Sequence, residues 1–154
     1  MVDTHMTDPS LARLLLSAFT WFDTALRASL AARGLPELTH AQSLLMAHLQ
    51  ADGIRISELA RRVGTTRQAA QKSVAALERA GLVETAPDPT NASARIARLT
   101  PAGLRNITAA AEVFAALELR LADRIGAEAA KQLRAALQAD WGAPNAIDPA
   151  KRET

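Results

Sequence analysis

Arg67, Gln68, Gln71 and Lys72 are the densest group of side chains in this sequence able to do chemistry. At helical spacing they share one face, opposite Val74 and Leu77. A glutamine amide can pair bidentately with the edge of adenine, and arginine or lysine with the edge of guanine. A solvated surface face is the ordinary reading of such residues. Here they open a helix directly after a tight turn, Gly64-Thr65, and that position favours contact with a nucleic-acid groove. Thr65 and Thr66 read as caps of that helix, and one of them can also touch phosphate. Arg61 and Arg62 lie on a short helix just before the turn, and Arg55 just before that helix. For each of these three, phosphate contact and plain solubility weigh equally.

Other chemistry is poorly supplied. No nucleophile–base pair, carboxylate pair or glycine-rich phosphate loop is visible, so an enzyme is not expected. The absence of cysteine excludes disulfides, thiolate metal sites and thiol redox sensing. His40 and His48 stand eight apart on one helix, whereas a helical metal pair usually stands four apart. They read as surface or pocket-lining side chains, and no metal or cofactor is expected.

Elements must hold the reading face in place. A first helix opens at Pro9 with Asp8 as cap, and Gly34 and Pro36 end it. Thr39 and Gln42 form a capping box for a second helix, which Asp52-Gly53 breaks. Ile54-Arg55-Ile56 is a brief extended piece. Ser57 caps a short helix over residues 58–63, and a fourth helix runs from Thr65 or Thr66 to about Ala80. Strands 82–86 and 94–99 enclose PDPTNAS, which reads as a long hairpin tip. Thr100 caps a long fifth helix with Pro101 in its first turn. Gly126 breaks it, and a last helix carries Leu133, Leu137 and Trp141 on one face. From Gly142 the chain reads as a loose tail.

Composition agrees with a mainly helical protein. Alanine, the best helix former, makes up between a fifth and a quarter of the 154 residues. Together with 15 arginines against three lysines, it suggests a bacterial genome rich in G and C. The length fits one domain that buries roughly two thirds of its unfolded surface. The longest uncharged run, Leu38 to Ala51, is too short to span a membrane. The polar, acidic start MVDTHMTDPS does not resemble a signal peptide, so a cytoplasmic location is expected, with Met1 and Met6 both open as start sites. The formal net charge of +2 hides an asymmetry: residues 40–105 carry +4 and the remainder −2. A basic middle hints at a polyanionic partner.

In order, the middle of the chain reads helix, extended piece, short helix, turn, helix, hairpin: a helix-turn-helix followed by a wing. The segments LTHAQSLLMAHL, ISELARRVGTTRQAAQKSVAALERAGLVE and PDPTNASARIARLTPAG, in this order from about Leu38 to Gly103, resemble the MarR family of winged helix-turn-helix regulators. The resemblance implies a mainly α fold with a small β-hairpin wing, flanked by N- and C-terminal dimerisation helices. It implies residues 9–36 and 101–141 as the dimerisation region, 37–100 as the DNA-binding domain and 142–154 as a flexible tail.

Function follows from the resemblance as an expectation: a homodimeric, sequence-specific regulator, a repressor released by a ligand, reading a pseudo-palindromic operator in double-stranded DNA. Thr65, Thr66, Arg67, Gln68, Gln71, Lys72, Arg61 and Arg95 are the expected DNA contacts. The family's effectors are often phenolic or carboxylate molecules held between dimer helices and winged domain. Trp21, His40, Met46 and His48 could line such a cleft, while Phe22 reads as core. The wing departs from the family pattern. Where members often carry an acidic residue followed closely by arginine, this sequence has Asn91-Ala92-Ser93. Either Arg95 substitutes for the tip arginine or the wing grips DNA weakly. The second outcome leaves an alternative, a winged-helix protein acting through protein contact.

Overall fold

Ser10 starts the first helix, α1 (Leu11–Ala32), by accepting a hydrogen bond from the Arg13 N–H at 3.3 Å. The expected cap was Asp8, with Pro9 as the first helical residue. The serine hydroxyl lies nearer the free N–H groups of the first turn and takes that role. The structure is a computed structural model and describes residues 8–50 and 52–143, the side chain of Ala92 apart. Both candidate start methionines and the tail from residue 144 lie outside the described residues.

Helix α2 (His40–His48) has the expected capping box in both directions. The Gln42 N–H donates to Thr39 Oγ1 at 3.3 Å, and the Thr39 N–H to Gln42 Oε1 at 2.7 Å. The extended piece is a strand, β1 (Ile54–Arg55), which runs straight into α3 (Ile56–Val63). Helix α3 starts two residues before the expected position, with Arg55 at its cap and Ser57 inside its first turn. Ile54 lies in the strand and Ile56 opens the helix, and both are buried while Arg55 between them is exposed. Gly64 closes α3 at φ +72°, a conformation that a side chain makes costly. Thr66 then caps α4 (Arg67–Arg79), its hydroxyl accepting from the Ala69 N–H at 3.1 Å.

Strands β2 (Val83–Asp88) and β3 (Asn91–Leu99) complete an antiparallel sheet of order β1-β3-β2. Ala97, fully buried, faces Ile54 on one side and Thr85 on the other. The expected long tip is a two-residue turn, Pro89-Thr90. The extra residues are absorbed as a bulge in β3, because Asp88 pairs with Asn91 while Pro87 pairs with Arg95.

Thr100 joins two corners of the fold. Its hydroxyl caps α5 (Pro101–Ile125) by accepting from the Gly103 N–H at 3.0 Å, and donates to the Gly81 carbonyl at 2.6 Å. Its own N–H reaches the Leu82 carbonyl at 3.0 Å. Gly103 lies so close to Leu82, the residue before β2, that a Cβ would stand 2.0 Å from the Leu82 oxygen.

The chain divides into two compact units between Leu117 and Glu118. The first holds two cores. One gathers α2, α3, α4 and the sheet around Leu45, Leu59, Leu77, Leu82 and Val83. The other joins α1 to α5 through Leu26, Leu30, Val113 and Leu117. On α5 the inward stripe includes Gly103 and Asn106, while Leu104 and Phe114 face outward. In the second unit α6 (Ala127–Gln138) follows Gly126, and Arg134 pairs with Glu118. Trp141 lies beyond the end of α6, not on its face as expected; its indole N–H donates to the Ala136 carbonyl at 2.8 Å. All the phenylalanines and tryptophans lie outside residues 37–100, and the sequence has no tyrosine.

Candidate nucleic-acid interface

Helix α4 is anchored from one side only. Ala70, Val74 and Leu77 are buried in the winged core, and Gln68, Gln71 and Lys72 are exposed away from it. Arg67 shares the helical face of Val74, not the opposite one as expected, and is exposed because it is the first residue of the helix. The alanine keeps the helix close to its neighbours, so the polar first turns stand at the surface. Thr65 and Thr66 are exposed beside them. The Thr65 N–H is spent on the Ala60 carbonyl at 3.0 Å and the Thr66 hydroxyl on its cap. The structure thus brings six of the eight expected contact residues to one end of one helix.

Arg61 lies on α3 and is drawn into a local cluster. Its Nε and a terminal nitrogen donate to the Glu58 carboxylate at 2.9 and 2.7 Å, and Arg62 Nε donates to the same carboxylate at 2.9 Å. These bonds, that from Arg61 first, hold the Glu58 carboxyl down at about 2. The same contact raises the Arg61 guanidinium above its ordinary value.

The wing is tied back to the domain at two points. Arg95 bonds the hydroxyl of Thr85 and reaches its carbonyl at 3.3 Å. The Thr85 N–H and hydroxyl in turn meet Glu78 Oε1, at 3.1 and 2.9 Å, so a polar chain runs from α4 through β2 to β3. Near the tip, Asp88 is only 4 % exposed and accepts from Arg55 and from the N–H and hydroxyl of Thr90. The Thr90 N–H and then the Arg55 guanidinium lower the Asp88 carboxyl to about 2. Where a tip arginine was missing from the sequence, Asn91 Oδ1 accepts from the Ser93 N–H and hydroxyl at 3.1 and 2.7 Å.

Among the expected cleft residues, His40 meets α1: its Nδ1 lies 3.5 Å from Asp23 Oδ1, and its ring stands edge-on to Phe19 at 5.0 Å. Trp21 packs edge-on against Phe22 at 4.8 Å. Phe22 is half-buried against the α1–α5 core, as expected. Met46 lies in the core of the winged domain, 3 % exposed, and His48 at the opposite end of α2 from His40. The four are therefore not gathered at one place, because α2 turns Met46 inward alongside Leu45.

Glu58, Glu78, Thr85 and Asp88 were not singled out from the sequence. Glu58 was legible: a carboxylate three and four residues before two arginines on a helix faces both. Asp88, two before Thr90, has the signature of a side-chain-capped turn. The Glu78–Thr85 contact depends on how the helix meets the strand, which no local pattern encodes.

The MarR family profile matches residues 37–93. No curated protein matches the chain in sequence. Among solved structures, the transcriptional regulator PA4135 is 27% identical, with a TM-score of 0.68 over 84% of this chain and 94% of that one. MarR gives 23% identity and a TM-score of 0.71 over 84% and 93%. A variant of MepR from S. aureus, bound to an oligodeoxyribonucleotide, gives 20% and 0.58 over 84% and 94%. Residues 37–93 are therefore a MarR-family winged helix-turn-helix, set in a chain with the fold of the MarR transcriptional regulators.

Proposed function

We propose that the chain is a homodimeric, sequence-specific DNA-binding transcriptional regulator that represses its target until a small molecule releases it. One observation carries the reading: Arg67, Gln68, Gln71 and Lys72, all exposed, open a helix that is anchored from one side. A rigid helix presenting polar donors and acceptors at its first turns suits the major groove of duplex DNA. Thr65 and Thr66 flank the same turn and are suited to phosphate. Arg61 and Arg95 serve the backbone or minor groove. The winged domain contains no aromatic ring other than histidine on which single-stranded bases could stack, which favours a duplex partner.

Dimerisation through residues 9–36 and 101–141 is supported by apolar side chains left at the surface. Leu11 and Leu16 of α1, Leu119 of α5 and Leu133 and Leu137 of α6 are all exposed. Trp21 and His40 remain the best contacts for a small aromatic or carboxylate effector. No helix among the described residues is long and apolar enough to cross a membrane, and action in the cytoplasm fits this reading.

A second reading, action through protein contact with weak DNA binding, draws on the wing: Asn91 and Ser93 bond each other and Arg95 bonds Thr85. A gel shift with the upstream region of the chain's own gene separates the two. The first reading expects a retarded duplex, an affinity that falls steeply with salt, and a footprint of two half-sites roughly one helical turn apart. No retardation at any salt concentration would select the second.

A further inference from the structure

The Glu58 carboxylate lies on α3, the helix before the reading helix, and cannot itself attract DNA. It takes three hydrogen bonds from two guanidinium groups on the same helical face. Both arginines are exposed, Arg61 more than Arg62, and Glu58 is partly covered by them. Of the two positive charges that α3 would lay over a phosphate backbone, one is cancelled in the free protein. Moreover, Arg61 presents its Nε edge to Glu58, one of the two edges by which a guanidinium can grip a phosphate in the bidentate manner.

We infer that Glu58 is a specificity-determining residue, an internal competitor for phosphate that holds down binding to DNA of arbitrary sequence. The inference rests on the DNA-binding reading above. On its operator the chain is held in register by the first turns of α4, so α3 meets a fixed set of phosphates. On arbitrary DNA no register is imposed, and affinity comes almost wholly from phosphate contacts. A carboxylate that withholds one arginine therefore weakens the arbitrary complex more than the specific one. It widens the ratio on which operator choice depends.

The test is the pair Glu58→Gln and Glu58→Asp in the full chain. The probes are a duplex selected by the parent from a random pool and a scrambled duplex of equal length and composition. Glu58→Gln should bind the scrambled duplex up to roughly tenfold more tightly at ~50 mM salt, with a log–log salt slope steeper by about one unit, the gain of one further phosphate. Its gain on the selected duplex should be smaller, so discrimination falls. Glu58→Asp keeps the charge and should behave as the parent does. An equal gain on both duplexes, unchanged binding, or weaker binding to both by Glu58→Gln would overturn the inference while leaving DNA binding intact. If the parent selects no sequence and binds no duplex, the DNA-binding reading itself falls, and the inference with it. Circular dichroism establishes that the variants are folded, and the partial exposure of Glu58 makes both substitutions compatible with α3.

Discussion

Two side chains differ in what their loss should reveal. Gln71 is exposed on the second turn of α4 and has both a donor and an acceptor to offer a base. Gln71→Ala should change relative affinity among operator variants by roughly 1–3 kcal/mol at one base position, measured by competition binding. Arg95 is already bonded to Thr85, whose partner Glu78 belongs to α4. If Arg95 reads the minor groove, Arg95→Ala should cost most on operators with A·T-rich flanks, where the narrow groove attracts arginine. Equal affinity of parent and variant for every flank would leave readout to α4 alone. Gln68, Gln71 and Lys72 were legible because helical period and a one-sided core determine which residues point out, whereas Arg67 is exposed by its place at the start of α4. The cleft residues were less so: exposure of His40 and burial of Met46 depend on how α2 is rotated, and α2 has apolar residues on more than one side.

At the scale of elements, the wing and the start of α5 each depend on one tight contact. Asp88 is held ionised in the fold, with its carboxyl lowered from 3.8 to about 2. The stabilisation from this group is thus complete above pH ~4 and is lost as pH falls through about 2. Amide protection in β2 and β3, with the exchange rates corrected for their intrinsic dependence on pH, should fall over that window in the parent. Asp88→Asn should remove that part of the pH dependence and leave the contribution of Glu58, which titrates in the same range. Gly103→Ala would drive a methyl group into the Leu82 carbonyl, a backbone atom that cannot rotate away. A loss of about 3 kcal/mol in denaturant unfolding is expected, at the upper end of overpacking costs. Caps and breakers made most elements legible: the Thr39–Gln42 box, Gly64, and Thr100 before Pro101 all stand where expected. Strand ends were not, since pairing across β3 extends the hairpin through PDPTNAS and adds Ile54–Arg55 as a third strand. Those pairings are long-range, and local turn propensity gives way to them.

For the whole molecule, assembly is the property at stake. Leu133 and Leu137 are 41% and 48% exposed on α6, which has no buried residue among those described. Leu133→Asp should shift sedimentation at micromolar concentration from dimer towards monomer, because a carboxylate would enter a desolvated interface. A parent that sediments only as monomer would contradict the dimeric reading. The placement of the aromatic residues has an optical consequence. Trp21 lies on α1 and Trp141 follows α6, whereas residues 37–100 contain no tryptophan, tyrosine or phenylalanine. Intrinsic fluorescence is therefore blind to the winged domain and reports only on the helical ends. A tryptophan signal that responds to dilution tracks assembly. One that responds to a DNA fragment shows that an event at α4 has been felt at α1 or beyond α6, without any label attached to the chain.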